Sequence, residues 1–110
     1  MPDSPITRWA DADPILAVPG LIRRTLGYTA DAMLVEFRAE AGVDLPLHSH
    51  PHQQVGYVVS GELHLTIAET AYICHPGDSY AIPGGVPHRA HFPIASIVID
   101  GFTPRREDYL

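Results

Sequence analysis

Turn-forming residues punctuate this chain about every eight residues, a spacing that leaves room for little but short strands. Gly42, Ser60-Gly61, Pro76-Gly77, Pro83-Gly84-Gly85 and Pro93 mark the main breaks, with further turns at Thr29-Ala30-Asp31 and Glu69-Thr70. Between them, residues 21–26, 32–38, 55–59, 62–67, 71–74, 79–82, 88–92 and 94–103 have strand character. Glu62-Leu63-His64-Leu65-Thr66-Ile67 alternates polar with apolar, as a half-buried strand does. The alanines and glutamates between Asp31 and Ala41 would also suit a helix. The short length and the residues Val35 and Phe37 favour a strand there. The run 94–98 is apolar on both faces, so one face is expected to meet the core and the other a second sheet or subunit. The pattern predicts an all-β sandwich or barrel.

At 110 residues the chain is one domain, large enough to bury roughly two-thirds of its unfolded surface without cross-links. Residues 1–14, with Pro2, Pro5, Pro14 and three aspartates, read as an irregular N-terminal arm, and residues 15–110 as the barrel domain. Trp9 in the arm is expected to pack on the barrel or on a second subunit. The two-faced strands and the arm together suggest a homodimer. No stretch is apolar enough to span a membrane and no secretory leader is visible. The single cysteine, Cys74, reads as a small core residue and fits a cytoplasmic location. A formal charge of −6 argues against a nucleic-acid partner.

Seven histidines are present, and two of them, His48 and His50, are one residue apart on an extended stretch. On such a chain, alternate side chains point the same way, and Gln54 shares their parity. His88, framed by Pro83-Gly84-Gly85-Val86-Pro87, is the obvious further ligand from elsewhere in the chain. The four would form a site for one divalent metal: zinc, nickel, iron or manganese all suit mixed nitrogen and oxygen ligands. Three neutral imidazoles and an amide leave the full charge on the ion, which favours polarisation of a carbonyl or hydroxyl oxygen. His52 is expected beside the site rather than on the metal, because Pro51 interrupts the strand. His64, His75 and His91 read as surface or packing residues. On the last strand, Asp100 and Phe102 share one face. Arg105 and Arg106 follow in a charged tail, where a guanidinium fork could grip a carboxylate.

These segments together resemble the paired motifs of the cupin superfamily. Gly42, five residues, His48-x-His50, three residues, Gln54, six residues, Gly61 fits the first motif, with glutamine where glutamate is usual. Gly77, five residues, Pro83-x-Gly85, two residues, His88 fits the second, with Phe92 where asparagine is expected. The resemblance implies a small jelly-roll barrel holding one metal through His48, His50, Gln54 and His88. Within the superfamily the chain is similar to the pectin-degradation cupins, which open the ring of 4,5-unsaturated uronic acid monomers. The similarity is strongest around His48–Val58, Pro76-Gly77-Asp78, Val86-Pro87-His88 and the tail from Asp100 to Tyr109. It implies active-site roles for Asp100, Phe102 and Arg106, and a carboxylated sugar as the small-molecule substrate. Gly84-Gly85 and Arg89-Ala90 depart from that pattern. Two other readings stay open: a cupin dioxygenase acting on an enol or aromatic compound, and a non-catalytic ligand-binding cupin.

Overall fold

The computed structural model of the chain describes residues 4–110, so the first three residues of the expected arm lie outside the described residues. Ten strands form: β1 (Ile15–Val18), β2 (Leu21–Tyr28), β3 (Met33–Ala39), β4 (Val43–His48), β5 (Gln53–Ser60), β6 (Leu63–Ile67), β7 (Thr70–Cys74), β8 (Ser79–Ile82), β9 (His88–Phe92) and β10 (Ser96–Thr103). Short 3-10 turns at Trp9–Asp11 and Glu107–Tyr109 flank them, and the described residues contain no α-helix. No helix is long and apolar enough to cross a membrane.

All pairings are antiparallel, in a six-stranded sheet ordered β1-β2-β3-β10-β5-β8 and a four-stranded sheet ordered β4-β9-β6-β7. The expected all-β class is therefore what forms, as two separate sheets. One core joins them, with Leu21, Val35, Phe37, Val58 and Val98 from the first and Val43, Leu63, Leu65 and Phe92 from the second. Cys74 is buried in the same core. β3 settles the helix-or-strand choice by its neighbours. It is paired on both edges, by β2 and β10, and its Val35, Phe37 and Ala39 point inward. Two strands, β1 and β4, are additional to those read from the pattern, and β10 begins at Ser96 rather than at 94. The turn between β6 and β7 is centred on Ala68, at φ 54°, and Thr70 already belongs to β7.

Trp9 packs on the outer face of the six-stranded sheet. Its indole Nε1 donates to Glu36 Oε1 at 2.9 Å, while the Arg24 and Arg38 guanidiniums lie 4.1 and 4.9 Å from its ring. Burial pushes the Glu36 carboxyl upward. The hydrogen bonds from Arg38 and Trp9 and the charges of Arg38 and Arg24 outweigh it, and hold the group below its ordinary value of 4.5. A carboxylate with a depressed folded pKa stabilises the fold above its unfolded pKa, and loses that contribution as pH falls through the folded one. Glu36→Gln should therefore lower the denaturation midpoint at neutral pH, with the gap to the parent chain closing in acid below the ordinary carboxylate range. A gap unchanged between neutral and acid pH would show that Glu36 contributes by shape alone.

Candidate metal centre

The inner face of the six-stranded sheet is laid out in rows by strand register. Asp100 of β10 stands opposite Gly56 of β5, and Gly56 stands opposite Tyr80 of β8. In the next row, Phe102 stands opposite Gln54, and Gln54 opposite Ile82. Gly56 has no side chain, so Asp100 and Tyr80 meet across it: Tyr80 Oη donates to Asp100 Oδ1 at 2.5 Å. A Cβ on Gly56 would lie 2.1 Å from Tyr80 Cζ and 2.2 Å from Asp100 Oδ1. Gln54 completes the group, its Nε2 donating to Asp100 Oδ2 at 3.0 Å. Asp100 is only 4% exposed. Burial drives its carboxyl up to about 7, against the opposing pull of the Tyr80 and Gln54 hydrogen bonds. Burial beside Asp100 also raises the Tyr80 phenol well above its ordinary value.

The opposite wall comes from the four-stranded sheet. His48 at the end of β4 pairs with His88 at the start of β9, and their rings are 4.3 Å apart. His50 lies past the end of β4, so strand alternation alone does not bring it alongside His48; the chain bends there. Its ring sits 5.0 Å from that of His88 and 5.8 Å edge-on from that of Phe102. One ring nitrogen from each of His48, His50 and His88 falls within 4.8 Å of the others.

Each imidazole is oriented by a main-chain carbonyl. Nδ1 of His48 bonds to Pro46 O at 2.7 Å, that of His50 to His52 O at 3.0 Å, and that of His88 to Val86 O at 2.9 Å. A carbonyl only accepts, so each Nδ1 carries the proton and each Nε2 offers a lone pair. His88 Nε2 is buried without any hydrogen-bond partner. His50 Nε2 faces Gln54 Oε1 at 3.1 Å, and with Asp100 taking the amide NH2 that contact sets two acceptors against each other. A cation beside them relieves both the orphaned nitrogen and the facing lone pairs. The residues present therefore fit a divalent ion. Burial lowers the pKa of both His50 and His88. The Arg106 charge adds to the effect, which the hydrogen bonds to Gln54, His52 and Val86 partly oppose.

The paired glycines Gly84 and Gly85, a departure from the pectin-degradation pattern, have a structural reason. Gly85 adopts φ +81° and its amide donates to His50 O at 2.8 Å. A Cβ on Gly84 would come within 2.3 Å of Pro51 O. The glycines let the loop before His88 press against the loop that carries His50. Arg89 is exposed, one residue out of phase with His88 and so on the other face of β9.

His48, His50, Gln54 and His88 line one end of a cavity of about 230 Å³ between the sheets, which Tyr80, Phe102, Arg106, Tyr109 and Arg23 also line. Asp100 does not line it and sits behind Tyr80 and Gln54. The tail folds over the cavity, tied down by Thr25 Oγ1, which donates to Tyr109 O at 2.8 Å. Arg106 lies 5.2 Å from the Phe102 ring and 4.2 Å from the Tyr109 ring, and its Nε and Nη2 donate to Asp108 at 3.0 and 2.8 Å. One edge of the guanidinium is thus held by a neighbouring carboxylate. Arg105 pairs with Glu107. His52 does not line the cavity; its carbonyl orients His50. His64, His75 and His91 lie outside the cavity, beside Glu62, Asp78 and Asp44. Tyr80, Tyr109 and Arg23 escaped the sequence reading. A larger depression of about 710 Å³ on the outer face, around Gly27, Leu34 and Val55, is lined by no histidine or carboxylate among the described residues.

Two facing antiparallel sheets, with three histidines and an amide converging in the cavity between them, define a small β-protein whose residues could hold a metal ion. The chain belongs to the cupin family: the model of the cupin domain matches residues 35–94. It is similar to the pectin degradation protein KdgF of Dickeya dadantii, 29% identical over 93 residues, covering 83% of this chain and 84% of that protein. Its fold superposes on an RmlC-like cupin from Shewanella frigidimarina with a TM-score of 0.93 and 32% identity, over 98% of this chain and 97% of that one. KdgF from Halomonas sp. superposes with a TM-score of 0.90 and 32% identity, over 96% and 97% of the two chains.

Proposed function

We propose that this chain is a metal-dependent jelly-roll cupin that opens the ring of 4,5-unsaturated uronic acid monomers to the linear keto form. The observation that carries the reading is one small cavity lined by the His48, His50, Gln54 and His88 cluster and by Tyr80, with Asp100 behind it hydrogen-bonded to both Tyr80 and Gln54. The similarity to two KdgF proteins supports the choice of a pectin-derived substrate. A cavity of about 230 Å³ lies below the roughly 300–1,000 Å³ of sites for drug-sized ligands, which favours a monomer over an oligosaccharide.

A divalent ion held by the four residues would supply Lewis-acid polarisation of a substrate oxygen. The remaining work falls to the chain. Phe102 and Tyr109 form the apolar wall against which the sugar ring rests. Arg106, beside the imidazoles, draws the carboxylate inward. In the reaction the bond between C1 and the ring oxygen breaks as the C1 hydroxyl loses its proton and the ring oxygen gains one, leaving an aldehyde at C1 and an enol at C5. The enol then loses its hydroxyl proton and gains one at C4, giving a ketone. No atoms are gained or lost overall, so the chain needs only to take a proton and return it. Tyr80, at the cavity surface, passes the proton, and Asp100 behind it holds it.

The test combines metal content with turnover. Purified protein is expected to hold about one divalent ion per chain, and the His48→Ala/His88→Ala variant essentially none. The loaded protein should speed the loss of the conjugated-ene absorbance of 4,5-unsaturated uronates above the spontaneous rate. Equal rates with and without protein on the monomers from both pectate and alginate would reject the reading. Oxygen uptake with an enol or aromatic substrate would replace it with the dioxygenase reading.

A further inference from the structure

We propose that Arg23 is a second substrate-binding guanidinium of this cavity, the one that hydrogen-bonds the carboxylate of the sugar acid. The inference rests on the uronate reading above and names the residue that selects an acid over a neutral sugar. Arg23 follows Leu21 at a spacing of two on β2, so it shares the inward face of that strand, and its register partner is the buried Phe37. An arginine turned toward a core calls for a partner. Arg24, Arg38, Arg105 and Arg106 each pair with a carboxylate, whereas Arg23 pairs with none among the described residues. Its Nε is buried without a hydrogen-bond partner.

Position agrees with the lack of a protein partner. Arg23 lines the same cavity as the histidine cluster, and its guanidinium rests 4.0 Å from the centre of the Tyr109 ring, against which Arg106 also lies. The tail that carries Tyr109 is tied to β2 at Thr25, two residues along from Arg23. Tyr109 therefore fixes Arg23 over an apolar surface, while Arg23 keeps donors for an acceptor that the protein does not supply. Asp108 occupies the Nε and Nη2 edge of Arg106. Arg106 keeps its Nη1 side for an anion, and Arg23, which has no carboxylate partner of its own, brings a second guanidinium to the same cavity. A planar carboxylate is the small acceptor that matches a guanidinium fork.

The experiment measures equilibrium binding of saturated galacturonate, which cannot undergo ring opening of the enol ether, and of its uncharged methyl ester to metal-loaded protein by calorimetry. Arg23→Gln is expected to weaken galacturonate binding about ten- to hundredfold, the loss of a hydrogen bond to a charged group, and to leave the ester unchanged. Arg23→Lys keeps the charge and should recover only part of the loss. If Arg23→Gln fails to fold, Arg23→Lys carries the test alone. Galacturonate binding equal to that of the parent chain, or equal losses for acid and ester, would overturn the proposal. The latter result would make Arg23 a packing residue of Tyr109. If Arg23-dependent galacturonate binding persists while the parent chain opens no unsaturated uronate, the carboxylate site stands and the ring-opening reading falls.

Discussion

Asp100→Asn is expected to cut kcat for ring opening by about 10²–10⁴-fold, the usual contribution of a positioned proton-transfer group, while leaving about one metal ion per chain. The argument turns on what the amide can and cannot replace. Asp100 accepts two hydrogen bonds, from Tyr80 Oη and Gln54 Nε2. An asparagine can still accept from Gln54, and its NH2 can donate to a Tyr80 hydroxyl turned round to receive it. Gln54 then keeps its Oε1 toward His50, and the metal ligands keep their order. What is lost is a group able to take up the Tyr80 proton. Asp100→Ala removes both contacts and should lose metal as well as rate, because Gln54 is then free to rotate its amide. Comparing the two substitutions separates proton handling from scaffolding. Turnover of Asp100→Asn within about tenfold of the parent would make Asp100 a support for Gln54 and nothing more.

The largest stability effect should come from the smallest substitution. Gly56→Ala places a methyl where Tyr80 Cζ and Asp100 Oδ1 now lie, at 2.1 and 2.2 Å. The Tyr80 ring cannot swing clear without giving up its hydrogen bond to a buried carboxylate. Overpacking typically costs about 1–3 kcal/mol, and loss of a hydrogen bond to a charged group about 1.5–3 kcal/mol. Together they remove several kcal/mol from a domain whose total is about 5–15 kcal/mol. A fall in melting temperature of roughly 10 °C or more follows. The effect should be smaller in a Tyr80→Ala background, where the methyl finds room, and the double-mutant cycle measures that coupling. A Gly56→Ala chain that melts with the parent would show that the row across β10, β5 and β8 can yield, contrary to its geometry.

What the sequence shows of this protein and what it hides divide along the distance over which a signal acts. Turn residues are local, and the strands they bound were legible, β3 included. β4 was harder to read because Pro46 interrupts it and Leu47 and His48 are exposed. β1 is only four residues long and exposed at its start. The histidines were legible because motif spacing is also local, although His50 reaches the cluster by a bend in the chain. Tyr80 and Gly56 were not, since each matters only through the residue opposite it on a neighbouring strand. Arg106 lines the cavity as well, with one edge of its guanidinium held by Asp108, two residues on. Arg23 looked like one charge among several on a strand until the buried neighbours of β2 gave it a direction.

The carbonyls that hold the three imidazoles bear on how this chain tolerates mutation. Pro46 O, His52 O and Val86 O belong to the backbone, and no substitution deletes them. Exchanging the side chains at those three positions can therefore leave the histidines aimed as they are, provided the local backbone keeps its course. Gln54 has no such insurance. Its amide is turned the right way by a side chain, that of Asp100, and a single codon change can remove it. Positions 46, 52 and 86 can therefore vary with less effect on the histidines than any change at Asp100 has on Gln54.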